Sequence, residues 1–430
     1  MKRTTIRRTA SVLALALVVA ACGDDSDDDA DDSADVTTTE ASGDAAPVGD
    51  SLANTDSIPE ETGPADDSLD PVVIGMVNMD EGTPSYPLVS SGVDAAAQYI
   101  NAKLGGIQGR PVEVRHCNVG IDQASNQECA QEFANDDDIS AVINGYVFSS
   151  SFGLPILEAA GVPVLLQTPL TPADFEAPNG FAYQGGNAGG GAGTATYAAN
   201  FLDAEEIVIF GADDDALRAA VAQIEALPAT EGVDISVTHI SNSAADVTAD
   251  VQASNAADAD AILALVNAPQ CLQIGQTVRD LGIETPIVST TVCAVPATLE
   301  ETPEVLEGWN IIGSGLPPML PDGVSAELDF FREVYPQYGS EDDLGSFHAL
   351  GGFGAMLALW DIGNAVPDSL TRADWTEGMG SFDGPYFGGV SEVSCPGEYY
   401  SAVCANDVRA FQLDDQGQMT QVQDWFDPLG

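Results

Sequence analysis

From Pro71 onward, unbroken apolar runs alternate with stretches whose apolar residues recur every three or four positions, and this alternation happens twice in series. Val72-Val73-Ile74-Gly75-Met76-Val77 has the pattern of a strand buried on both faces of a sheet. Val93, Ala96, Ala97 and Ile100 then share a helical face, and Gly105-Gly106 stops that helix. Residues 112–115 read as a strand, 122–134 as a helix, 139–143 as a strand and 163–167 as another. A second set follows: strands at 207–210, 233–240, 261–266 and 286–288, with helices at 216–227, 247–255 and 272–281 between them. Strand–helix repetition of this kind gives an α/β fold, and two such units in series give two lobes, each a mainly parallel sheet flanked by helices, with strand ends facing a cleft.

The remainder returns to the first lobe. Residues 309–313 read as a strand that leads into the Gly- and Pro-rich stretch 314–321, and 326–338 and 347–364 read as helices of the first lobe's outer layer. Phe353, Met356, Leu357 and Trp360 have the spacing of a core face rather than of a ligand cage. Residues 382–387 look like a further crossing before a cysteine-bracketed loop and strands at 408–413 and 419–422. The glycine-crowded stretch 185–193 lacks the lysine of a phosphate-binding loop, so it reads as a flexible crossing between lobes. The expected layout is therefore lobe 1 from 71–187 plus 315–386, and lobe 2 from 188–314 plus 387–430.

The amino-terminal end reads differently. Lys2, Arg3, Arg7 and Arg8 precede the apolar run 11–21, which is too short to span a bilayer comfortably and has the form of a signal peptide ending before Cys22. Small residues before a cysteine, here Val19-Ala20-Ala21-Cys22, resemble the bacterial lipobox, in which the cysteine carries lipid; the other reading is an ordinary secretory signal with an incidental Cys22. Residues 22–70 are acidic and poor in large apolar side chains, the composition of a solvated tether rather than a packed domain. No later stretch is long and apolar enough to span. The expected location is the outer face of the bacterial cytoplasmic membrane, held by lipid alone. A formal net charge of −56 argues against nucleic acid or an anionic membrane surface as partners.

With Cys22 set aside, the remaining cysteines fall in close pairs: Cys117 with Cys129, Cys271 with Cys293, and Cys395 with Cys404. Export permits disulfides, and neighbouring pairs are favoured, although six cysteines allow about 15 connectivities. A metal site is the rival reading, but there is no CxxC, and His116, His239 and His348 are scattered. Neither a metal nor any other cofactor is expected.

The stretch 141–155 is the candidate site. A short buried strand, Ala141-Val142-Ile143, is followed by Gly145 and then by Ser149-Ser150-Ser151 ahead of a helix. A helix start offers free N–H groups, and serine hydroxyls add donors, a combination that suits a small carboxylate; the alternative is that the serines only cap the helix. The strand 163–167 ends at Thr168-Pro169-Leu170-Thr171-Pro172, and in a parallel sheet that end lies beside the serine loop, so Thr171 and Ser149 are expected to face one ligand. For Thr171 too the alternative is a helix cap.

Several of these segments together resemble the leucine, isoleucine and valine binding protein family, the substrate-binding lipoproteins of branched-chain amino acid type ABC importers. They are Val72-Val73-Ile74-Gly75, the turn Ile100-Asn101-Ala102-Lys103-Leu104-Gly105-Gly106-Ile107-Gln108-Gly109-Arg110-Pro111, Gly145 with Ser149-Ser150-Ser151, and the lipobox. The resemblance covers nearly all of 70–430 and implies a type I periplasmic-binding fold: two lobes joined by three crossings, closing as a monomer over a small-molecule ligand and meeting an ABC permease that works with ATPase subunits. It implies binding without chemistry, and Ser149 also lacks the GxSxG setting of a hydrolase. By the same resemblance Ser149 and Thr171 hold a ligand carboxylate with backbone groups of both loops, Ser150 stands with them as a ligand-binding residue, and Tyr86, Phe148 and Asn187 lie on neighbouring loops as candidate lining of the cleft. Family members that bind amino acids use a glutamate and a tyrosine of the second lobe for the amino group; Thr291 and the Asn267-Ala268 region stand there in this chain. The threonine loop is one residue shorter, which places Leu170 where it alters the pocket. The implied ligand is an amino acid, an amide or a short carboxylate. The alternative role is a ligand-sensing domain of the same fold working with a separate signalling partner.

Overall fold

The computed structural model describes residues 50–430 except 212–214, 242–243, 300–301 and 391. The expected signal peptide, Cys22 and the first part of the acidic segment lie outside the described residues.

Five parallel strands form the first sheet: β1 (Val72–Asn78), β2 (Val112–Asn118), β3 (Ile139–Asn144), β4 (Val164–Leu166) and β5 (Gly180–Phe181), in the order β2-β1-β3-β4-β5. Every residue of β1 is buried, as its continuous apolar run requires of an inner strand, whereas the edge strand β2 carries exposed residues. The connecting helices are α1 (Pro87–Lys103), α2 (Gln123–Asn135), α3 (Leu154–Ala159) and α4 (Pro172–Phe175). Proline stands in the first turn of α1, and the Asp122 side chain accepts from Ser125 N at the start of α2.

The chain enters the second sheet through α5 (Gly186–Phe201). That sheet has seven strands: β6 (Glu206–Gly211), β7 (Asp234–His239), β8 (Ala261–Leu265), β9 (Ile287–Thr290), β10 (Asn310–Gly313), β11 (Val408–Leu413) and β12 (Met419–Phe426), ordered β12-β11-β10-β9-β8-β6-β7. The first five pair in parallel, while β11 and β12 add an antiparallel edge. Helices α6 (Asp215–Ile224), α7 (Thr248–Ala253), α8 (Ala268–Leu281) and α9 (Pro296–Leu299) fill the connections. This is the two-lobed α/β architecture that the alternating pattern predicts.

Helices α10 (Ala326–Val334), α11 (Phe347–Ala365) and α12 (Arg372–Ser381) return to the first sheet. Helix α11 crosses α1 at backbone distance. A Cβ on Gly92 would stand 2.1 Å from the Ala349 carbonyl oxygen, and one on Gly352 would stand 2.1 Å from that of Val89. Helix α12 has no strong apolar period and is not predicted from the sequence; it is set by a capping box in which Thr371 and Asp374 satisfy each other's backbone N–H.

Three expectations are corrected. The glycine-crowded stretch is not a flexible crossing: it is already helical from Gly186, and its glycines let α5 lie close on the second sheet, since a Cβ on Gly193 would meet Ile312 and Val408 at 2.8 Å each. The third crossing falls beyond Phe387. Residues 395–404 stay on the edge of the first sheet, where Ala182 N donates to Ala402 O at 2.7 Å and Cys404 N to Ala182 O at 2.8 Å, so the chain passes over at residues 405–407. Finally, residues 50–70 are not a solvated tether. Leu52 is 2% exposed, Ser57 Oγ donates to Glu327 on α10, and Gly63 and Ala65 donate to Lys103 O and Asn101 O at 2.9 and 2.8 Å. The apolar Leu52 and the unpaired carbonyls at the end of α1 draw this strap onto lobe 1.

The three disulfides join the expected neighbours: Cys117–Cys129, Cys271–Cys293 and Cys395–Cys404. Among the described residues no group of His, Cys, Asp and Glu is arranged to hold a metal ion, and no helix is long and apolar enough to cross a membrane.

Candidate functional site

The carboxyl ends of β1, β3 and β4 share one rim of the first sheet, and the side chains just beyond them line a cavity of about 350 Å³ that also reaches β9, β10 and the start of α5. Asn78 closes β1 and organises the rim. Its amide donates to the Tyr86 carbonyl at 2.9 Å and to Asp80 at 2.7 Å, and its oxygen accepts from Tyr146 N at 2.9 Å. Two loops are thereby held in register, and both project a tyrosine into the cavity. The Tyr86 and Tyr146 rings lie 4.3 Å apart, and His348, from the first turn of α11, lies 5.2 and 4.9 Å from them. Phe148 is 41% exposed and stands 6.1 and 5.7 Å from the same tyrosines.

The floor is a chain of polar side chains. Thr168 Oγ1 donates to Gln167 Oε1 at 2.9 Å, Gln184 Nε2 donates to Thr168 Oγ1 at 3.2 Å and to Gln167 O, and Ser314 Oγ donates to Gln184 Oε1 at 3.1 Å. This chain runs from lobe 1 across the first and second crossings. Lobe 2 completes the cavity with Asn187, Gly190, Ala268, Thr290, Thr291 and Val292, and Tyr386 to Gly388 lie beside them.

The site is electrically quiet at neutral pH. Burial pushes the Tyr146 hydroxyl up to about 12 and raises that of Tyr86, so both remain protonated. Burial also drives His348 down to about 4, which leaves its imidazole neutral. None of the described residues that line the cavity is Asp, Glu, Lys or Arg.

Of the residues expected at the site, Tyr86, Asn187 and Thr291 line the cavity, while Phe148 does not line it and packs against Tyr86 and Tyr146. Asn267 caps α8, its side chain accepting from Gln270 N at 3.1 Å, while its neighbour Ala268 faces the cavity. Ser149, Ser150, Thr171 and Leu170 are not brought to it. Ser149 is 2% exposed, donating to Gly120 O at 2.8 Å and accepting from Asn126 at 3.2 Å. Ser150 is 1% exposed and bonds Val147 O and the Asn144 amide. Thr171 caps α4 through Asp174, which also accepts from Leu170 N at 3.0 Å, and the Leu170 side chain is buried. Thr171 thus follows the capping alternative, whereas Ser149 and Ser150 cap no helix and spend their hydroxyls on tying the loop after β3 to Gly120, Asn126, Asn144 and Val147.

The cavity instead receives Tyr146, Gln167, Thr168, Gln184, Ser314 and His348, none of them singled out from the sequence. Tyr146 and Thr168 each stand three positions before the residue expected, in the first steps past β3 and β4, and that position was the available signal. Nothing local marks His348.

The chain's relatives agree with this architecture. The structure of the branched-chain amino acid transporter substrate-binding protein LivJ from Streptococcus pneumoniae, in complex with isoleucine, superposes with a TM-score of 0.66 at 15% identity, covering 83% of this chain and 100% of that one. The leucine-binding protein LivK from Thermotoga maritima gives 0.62 at 19% identity, covering 83% and 99%. A fatty acid ABC transporter substrate-binding protein from Thermomonospora curvata gives 0.64 at 16% identity, covering 85% and 94%. No curated protein matches the chain. The family model described as periplasmic binding protein matches residues 71–416, most of the chain. With that match and two α/β lobes around a lined cavity, the chain belongs to the periplasmic binding protein family, whose members bind solutes rather than transform them.

Proposed function

We propose that this chain is the solute-binding component of an ABC importer, exported and tethered outside the cytoplasmic membrane through lipid on Cys22, which takes up a small molecule between its lobes and passes it to a permease. The observation that carries the reading is the cavity of about 350 Å³ shared by both lobes and by the crossings that join them, within the size range of small-molecule sites. A ligand that touches both lobes favours the closed arrangement by its extra contacts there, and a permease then recognises that arrangement. The relatives whose names specify an isoleucine complex, leucine binding or fatty acid transport bracket the ligand as small and largely apolar with a polar end. The apolar flanks Leu316, Leu350 and Phe387 and the polar floor of this cavity suit such a molecule.

The test is a thermal-shift screen of the chain from Asp50 onward against amino acids, amides, short carboxylates and fatty acids. A ligand present at 100 times its Kd stabilises the native form by about 2.7 kcal/mol, a rise of several degrees in Tm. Absence of any shift across all four classes, with small-angle scattering unchanged, would overturn the reading.

A further inference from the structure

Granting that the cavity is the ligand site, we infer that it selects an uncharged ligand that joins a flat unsaturated ring to a carboxamide-like head, in preference to a zwitterionic amino acid or a carboxylate. The first support is the wall of rings. Tyr86, Tyr146 and His348 stand within 4.3–5.2 Å of one another and are held from behind, the tyrosine loops by Asn78 and the start of α11 by Ser346, whose hydroxyl accepts from His348 N and Ala349 N. A fixed group of ring faces and edges favours another ring over a saturated body of equal size, because offset and edge contacts add to the area buried.

The second support is the hydrogen-bonding capacity left in the floor. Gln184 uses both N–H groups on Gln167 O and Thr168, Thr168 spends its hydroxyl proton on Gln167, and Ser314 spends its own on Gln184. What remains is the Gln167 side-chain N–H₂, which has no partner among the described residues, and one lone pair or more on each of Gln167 Oε1, Thr168, Gln184 and Ser314. The floor thus offers one amide N–H₂ donor beside a row of acceptors. A carboxamide answers both, through its oxygen and its N–H₂, whereas a carboxylate has only acceptors and would face the Ser314 and Gln184 lone pairs. The neutral imidazole of His348 supplies no positive charge to offset a carboxylate.

Isothermal titration of the chain from Asp50 onward tests this with benzamide, benzoate, cyclohexanecarboxamide, isoleucine and octanoate. Benzamide is expected to bind at least tenfold tighter than each of the others, with an affinity unchanged from pH 5.5 to 8.5. Gln167→Leu is expected to lower benzamide affinity tenfold or more. His348→Phe, which keeps a ring, retains the preference for benzamide over cyclohexanecarboxamide, and His348→Ala reduces it. Tighter binding of isoleucine, octanoate or benzoate would overturn this assignment while leaving the solute-binding role intact. Equal binding of the aromatic and saturated amides would overturn the ring wall. Binding by none of the five would overturn the assignment, and the role itself falls only if the broader four-class screen is also silent.

Discussion

Lobe 1 meets the cleft with Tyr86, Tyr146, Gln167 and His348, whereas lobe 2 meets it with Gly190, Ala268, Thr290, Thr291 and Val292. The large side chains of lobe 1 are pinned by Asn78 and by neighbouring helices, so that wall has a shape before any ligand arrives. The small ones of lobe 2 come from α5, the end of β9, the start of α8 and the turn after β9, and Cys271–Cys293 ties the start of α8 to that turn bearing Thr291 and Val292. On the proposed reading, one wall recognises and the other covers. Lobes built on the same strand–helix plan have diverged in how they use their strand ends.

The comparison breaks hardest at the helix contact behind the ring wall. Gly92→Ala would drive a methyl into the Ala349 carbonyl oxygen, and since backbone cannot yield there, a loss of about 3 kcal/mol or more is expected in urea denaturation. Replacing both Cys271 and Cys293 with Ala should lower stability by about 3 kcal/mol by the loop-entropy relation, and it should also weaken ligand binding if lobe 2 needs its turn held. Titration of His348 gives a pH test. Its folded value lies near 4, below the ordinary 6.5, so the unfolded chain takes up a proton that the folded one refuses. Stability from this group is complete above about pH 6.5 and declines on acidification, by roughly 2 kcal/mol between pH 7 and pH 5. The difference between the parent chain and His348→Phe over that range measures it. His116 has the opposite sign: the Asp94 hydrogen bond raises its value, so its contribution is present in acid and is lost as pH rises through that raised value. The smallest effect is on lobe 2. A Cβ on Gly191 meets nothing within 4 Å in the middle of α5, and Gly191→Ala should raise stability by about 0.5–1 kcal/mol in the same denaturation assay.

Much of this plan is legible in the sequence. The inner strands announce themselves as continuous apolar runs, and the rule that ligands gather at strand carboxyl ends points to the rim where the cavity lies. The particular residues on that rim are harder. Ser149 and Thr171 carry the chemistry of an anion site and of a helix cap equally; the structure uses Thr171 as a cap and ties Ser149 to Gly120 and Asn126, while Tyr146 and Thr168, three steps earlier, take the cavity. His348 reaches Tyr146 only because α11 folds back onto α1, a contact between distant parts of the chain with no local sign. Glycine likewise conceals the first half of α5: the sequence reads a helix only after residue 193, but close packing against Ile312 and Val408 requires the missing Cβ.

The strap at residues 50–66 has a mechanical consequence. Its bonds to Lys103 O, Asn101 O and Gly109 O and its clasp on Glu327 all lie on lobe 1. A tug at the amino-terminal end is therefore borne in shear by that lobe's flank, and the load does not pass through Gln184 and Ser314. On the proposed reading, lobe 2 is the jaw that closes without carrying that load.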